Sequence, residues 1–158
     1  MGSLLRKRLA NRHSCTALAL FVLVAAILHA PAVGAQISAK KESYKVRLSP
    51  VPIDVSMMVN IAGAGSLTAT LSGKQLTISG TFEGLRSPAT TAHIHRGPKG
   101  IRGPAILDLT VTSAEKGAVS GTIELTPDQI TDLRAGRLYV QIESQRAPDG
   151  NLWGWLLQ

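Results

Sequence analysis

Between Gln75 and Phe82 every second side chain is polar: Gln75, Thr77, Ser79 and Thr81 alternate with Leu76, Ile78, Gly80 and Phe82. Successive side chains of an extended strand point to opposite faces, so this spacing buries one face and wets the other. A helix would smear the same residues around its whole circumference. The alternation recurs at Tyr44–Leu48, Gly65–Leu71, Ala105–Val111, Ala118–Leu125 and Leu138–Ser144, with turn residues between the runs. Ser72-Gly73-Lys74 joins two of these runs as a tight hairpin, and Ala147-Pro148-Asp149-Gly150 carries a strong turn signal before a last strand at Leu152–Leu157. That last strand is apolar on both faces. Val51–Ile61 follows no clear period. Roughly seven to nine short strands with regular turns predict an all-β sandwich or barrel.

One helix interrupts the strands. Thr126 is a good N-cap, Pro127 suits the first helical position, Gln129 closes a capping box, and Gly136 stops the helix. Ile130 and Leu133 form its apolar side, so it serves as a short crossover element.

The first 35 residues read as a secretory signal peptide. Arg6, Lys7, Arg8 and Arg12 precede an apolar run at Ala17–Leu28, and Val33-Gly34-Ala35 offers small residues for cleavage before Gln36. An uncleaved N-terminal anchor is the alternative. This leader carries four of the 17 Lys and Arg and none of the ten Asp and Glu, so its removal lowers the formal charge from +7 to +3. It also takes the single cysteine, Cys15, leaving a secreted or periplasmic protein held together without disulfides. Removing 35 of 158 residues leaves 123, the size of one domain. Residues 36–43 read as a flexible N-terminal tail and 44–158 as the folded domain. The remainder has no basic run interleaved with aromatics, which argues against nucleic acid as a partner. Nor does it hold a further apolar stretch long enough to span a membrane.

His93 and His95 are the only histidines after the leader. In a strand both imidazoles project from one face while Ile94 packs opposite. Two adjacent imidazoles make half of a metal site for Zn, Cu, Fe or Ni; they are equally a polar pair on a wet face, or a buried pair bonded to backbone. Arg96 and Arg102 stand near enough to attract an anion, though loop arginines are usually only solvated. Trp153 and Trp155 share one side of the last strand, either as core or as a stacking platform for a carbohydrate or aromatic ligand. There is no Ser-His-Asp set and no His-Glu-x-x-His helix.

The stretch Thr91-Ala92-His93-Ile94-His95-Arg96-Gly97-Pro98, then Gly103-Pro104, Leu125-Thr126, Gly136–Val140 and Pro148–Gly154 in that order, resembles the CHRD domain family from Tyr44 to the C-terminus. The resemblance implies a Greek-key β-sandwich, immunoglobulin or Cu/Zn superoxide dismutase-like, with a His-x-His strand similar to the dismutase copper strand. The family's strand matching Tyr139–Ser144 usually carries a third histidine where this chain has Glu143. Its last strand usually reads Gly-Glu-Ile-Arg-Gly-Gln, against Gly150-Asn151-Leu152-Trp153-Gly154-Trp155 here. Glu143 shares its face with Tyr139 and Gln141 by parity. If that face meets His93 and His95, the group becomes two imidazoles and one carboxylate, fit for a divalent transition metal such as Zn or Cu, though poor for Cu(I). Otherwise Glu143 simply fixes an imidazole tautomer. Three functions follow: an exported module binding an extracellular or periplasmic ligand through Arg96, Tyr139, Gln141, Trp153 or Trp155; a dismutase-like redox enzyme; or a structural envelope or matrix domain.

Overall fold

The computed structural model describes residues 40–52 and 54–158. The expected signal peptide and residues 36–39 of the expected tail lie outside them. Eight strands follow in chain order: β1 (Lys41–Pro50), β2 (Ala64–Ser72), β3 (Gln75–Glu83), β4 (Ala89–Arg96), β5 (Ala105–Val111), β6 (Gly117–Glu124), β7 (Leu138–Ser144) and β8 (Ala147–Trp155). The helix α1 (Pro127–Arg134) crosses from β6 to β7, with the predicted capping box formed: Gln129 N–H donates to Thr126 Oγ1 and Thr126 N–H to Gln129 Oε1. Among the described residues no helix is long and apolar enough to cross a membrane.

All the pairings are antiparallel, and they close into a barrel in the order β1-β2-β3-β6-β5-β4-β7-β8. This corrects the expectation of a Greek-key β-sandwich, which would leave open edges. Closure depends on two strands whose last residues leave one partner for the other. β1 pairs with β2 over Lys41–Leu48 and then reaches β8 through Ser49 and Pro50. β5 pairs with β4 as far as Leu109, and with β6 through Thr110 and Val111. Each handover uses the backbone groups that a sandwich would leave free, removing the edge-pairing hazard.

The interior is filled by the apolar phase of the alternation: Tyr44, Val46 and Leu48, Leu67 and Leu71, Leu76 and Ile78, Ile94, Val140 and Ile142 are all buried. Two local expectations shift. β1 begins at Lys41, three residues ahead of the alternation, because Lys41–Ser43 pair with Ser72–Thr70. The last turn falls at Gln145-Arg146, with Ser144 opposite Ala147, so Ala147–Gly150 already belong to β8. Backbone N–H groups of Gln145 and Arg146 donate to Pro88 O and Ser87 Oγ, anchoring that turn to the β3–β4 loop.

A second apolar cluster sits outside the barrel interior: Val51, Ile61, Tyr139, Ala147, Trp153 and Trp155, with Met57 packed against it. It lies on the outer face of β7 and β8. The β4–β5 loop binds this face through Tyr139 Oη and the Trp155 indole. The β1–β2 loop binds it through Val51 N–H to Asn151 O and Asn151 Nδ2 to Ala62 O. An outer face normally meets water; here two loops cover it, and polar groups beneath them are buried.

Candidate metal centre

Strand register builds the site in rows. Asp108, His93, Gln141 and Trp153 follow one another across β5, β4, β7 and β8; His95, Tyr139 and Trp155 form the adjacent row. Ile94, between the histidines, points into the core and is fully buried, which fixes both imidazoles on the outer face. Glu143 lies one step further along β7 on that face. His93, His95 and Glu143 each offer a ligand atom, and all three atoms lie within 4.8 Å of one another.

Each imidazole turns one nitrogen away from Glu143, that of His95 to a backbone carbonyl and that of His93 toward the exposed Asp108, and the other toward Glu143. His95 Nδ1 is 2.9 Å from Gly103 O. A carbonyl only accepts, so Nδ1 carries a proton and Nε2 faces inward. That Nε2 is 3.8 Å from Glu143 Oε1, beyond hydrogen-bond range, and is buried with no hydrogen-bond partner. His93 Nδ1 lies 3.3 Å from Glu143 Oε2, while its Nε2 lies 3.6 Å from Asp108 Oδ1. An outward bond such as that of His95 to Gly103 O orients metal-binding histidines.

Glu143 is held just as firmly. Thr91 Oγ1 donates to Oε2 at 3.0 Å and Gln141 Nε2 donates to Oε1 at 2.9 Å. Burial pushes its carboxyl up, but His95, Gln141, Thr91 and the charge of His93 outweigh that, and it sits below the ordinary carboxylate value. Burial pushes His95 down, yet Glu143 and the Gly103 carbonyl raise it above the ordinary imidazole value despite Arg102. On the far side the site opens: His93 is part-exposed and the Asp108 side chain is almost wholly exposed, leaving room for water or a further donor.

The donor set tests well against a divalent transition ion. Two imidazoles and one carboxylate suit Zn and related ions. The His95 Nε2 supplies the independent sign: it is buried, has no hydrogen-bond partner and faces the Glu143 carboxylate at 3.8 Å, a gap that charge attraction alone spans.

The remaining sequence candidates divide. Gln141 holds Glu143. Tyr139 stacks on His95, ring centroids 5.0 Å apart and 20° from parallel, and Trp155 and Trp153 pack behind Tyr139 at 4.6 and 5.8 Å. Arg96 is not in the site: its Nε is 2.8 Å from Asp132 Oδ2 on α1. Arg102 donates to Asp149 O. Thr91, Gly103 and Asp108 went unread in the sequence. Thr91 was legible, since it shares the face of His93 two residues on; Gly103 and Asp108 require the loop path and the β4–β5 register.

Comparison with curated proteins and with solved structures gives no match. The profile of the CHRD domain matches residues 44–156, the whole barrel but for the first three residues of β1. With that match across most of its length, the chain belongs to the CHRD domain family.

Proposed function

We propose that this protein is an exported CHRD module that binds a divalent transition metal through His93, His95 and Glu143. The observation that carries the reading is the His95 Nε2: buried, without a hydrogen-bond partner, and aimed at a carboxylate that three neighbouring side chains hold in its charged form. The large majority of buried side-chain polar atoms have a hydrogen-bond partner. Export is supported by the basic, apolar and small-residue order of the first 35 residues.

The protein's own groups do the preparatory work. Gly103 O sets the His95 tautomer, and Thr91 and Gln141 keep Glu143 oriented. The covering loops keep bulk water from the His95 side, while the His93–Asp108 side gives entry. A bound ion would supply Lewis acidity and open coordination positions at that exposed side. Binding requires His95 to release any proton on Nε2, so affinity falls with acid.

Isothermal titration of Zn²⁺ and Cu²⁺ into the metal-free protein tests the proposal. Saturable binding of one ion is expected, lost by about 100-fold or more in His95→Ala and Glu143→Ala, and weakened about 10- to 100-fold in Gln141→Leu. Undiminished binding in Glu143→Ala would remove the carboxylate from the site.

A further inference from the structure

The metal reading leaves unused a cleft of about 380 Å³ on the outer face where β1 meets β8. Lys45, Arg47 and Ser49 reach it from β1, Lys99 from the β4–β5 loop, and Trp153 and Trp155 from β8. A shallow trough of about 560 Å³ shares Lys45 and Arg47 and continues over Ser66, Thr68, Ser79 and Thr81 on β2 and β3. No acidic residue lines either one. Among the described residues Arg96, Arg134 and Arg137 pair with Asp132 and Glu42, whereas Lys74, Arg86, Lys116 and Arg146 form no ion pair but line neither surface. Among the described residues Lys45, Arg47 and Lys99 make no such pair, and all three are exposed.

We infer that the cleft and trough together bind an acidic polysaccharide. Three unpaired cations on an acid-free surface select a polyanion. The hydroxyl rows at Ser66, Thr68, Ser79 and Thr81 continue the surface beyond the cations, as a chain of hydroxyl-bearing sugars requires and a small anion does not. The indoles are 7 % and 9 % exposed. They form the buried floor of the cleft and offer no open ring face for a nucleobase to stack on, so the cations and hydroxyls carry the recognition. A membrane is disfavoured because the exposed apolar side chains Val55, Met58, Val59 and Ile101 line neither surface; only Leu157 touches the cleft. This inference stands apart from the metal site.

The test is titration of the full chain, with a chelator present, with hexagalacturonate, with its methyl-esterified neutral form, with a heparin-derived hexasaccharide and with phosphatidylglycerol vesicles. At least one acidic hexasaccharide is expected to bind, about tenfold or more weaker in high salt. Binding should fall about tenfold or more in both Arg47→Glu/Lys99→Glu and Lys45→Gln/Lys99→Gln, whose folding is checked by thermal unfolding. The neutral ester should not bind. Absence of binding by both acidic hexasaccharides overturns the inference. So does equal binding by the ester or by the substituted proteins, and so do vesicles that bind more tightly than the sugars and are lost in the same variants. Loss of zinc binding in His95→Ala with sugar binding intact would show the two sites to be separate.

Discussion

His95 and Glu143 constrain one another. In the metal-free protein each holds the other's charge: the carboxyl stays below its ordinary 4.5 and the imidazole above its ordinary 6.5. A depressed carboxyl contributes stability that is present above 4.5 and lost as pH falls through its lowered value. A raised imidazole contributes stability that is present below 6.5 and lost as pH rises through its raised value. Together they predict that the pair stabilises the metal-free protein most between pH 4.5 and 6.5. Thermal unfolding across pH checks this: Glu143→Gln should flatten the profile on both sides, and a variant profile parallel to the native one would contradict it. At this scale much was legible. Strand parity alone put His93 with His95 and aligned Glu143 with Tyr139 and Gln141. The family's third histidine fell at Glu143, where a carboxylate now stands. Parity could not show that Nδ1 of His95 meets Gly103 O, because that contact depends on the path of a Gly/Pro loop.

At the scale of elements, the bulged start of β8 decides whether Gln141 can do its work. Gly150 has φ 124°, a conformation that side chains rarely adopt, and a Cβ there would lie 2.8 Å from the Gln141 amide carbon. Glycine is required on both counts. Gly150→Ala should therefore destabilise the protein by about 1–3 kcal/mol and push Gln141 off Glu143, weakening zinc binding as well. Chemical denaturation together with zinc titration of the variant measures both; a variant as stable as the native protein would refute the packing account. The sequence marked Pro148-Asp149-Gly150 as a turn. The residues are of turn type, but the chain reverses two residues earlier because Ser144 pairs with Ala147. The glycine serves a bulge in the strand. Local composition cannot tell these apart, since both need positive φ. The helix was fully legible by contrast, because its capping box is closed by residues three apart.

Across the whole molecule, the barrel separates stability from function. The core lies within, and the candidate site lies on the outer face under two loops. Ile78→Ala, inside the barrel on β3, should cost about 2–5 kcal/mol of stability while leaving zinc affinity of the folded protein unchanged. Denaturation and titration of the same sample check both halves, and a matching loss of affinity would show that core and site are coupled. Closure was the feature least legible in the sequence. It rests on Ser49 and Pro50 meeting β8, and on Thr110 and Val111 meeting β6. The first joins the two ends of the described chain and the second is only two residues long; neither leaves a trace in local alternation, which is the same for a sandwich and a barrel.

The central claim is that His95 presents Nε2 and His93 presents Nδ1 to a metal held also by Glu143. Long-range ¹H–¹⁵N correlation spectra of the histidine rings, recorded before and after equimolar Zn²⁺, test it directly. The account predicts that the His95 Nε2 and His93 Nδ1 resonances move to metal-bound positions while the proton on His95 Nδ1 stays in place. Unchanged ring spectra, or coordination through His95 Nδ1, would contradict it.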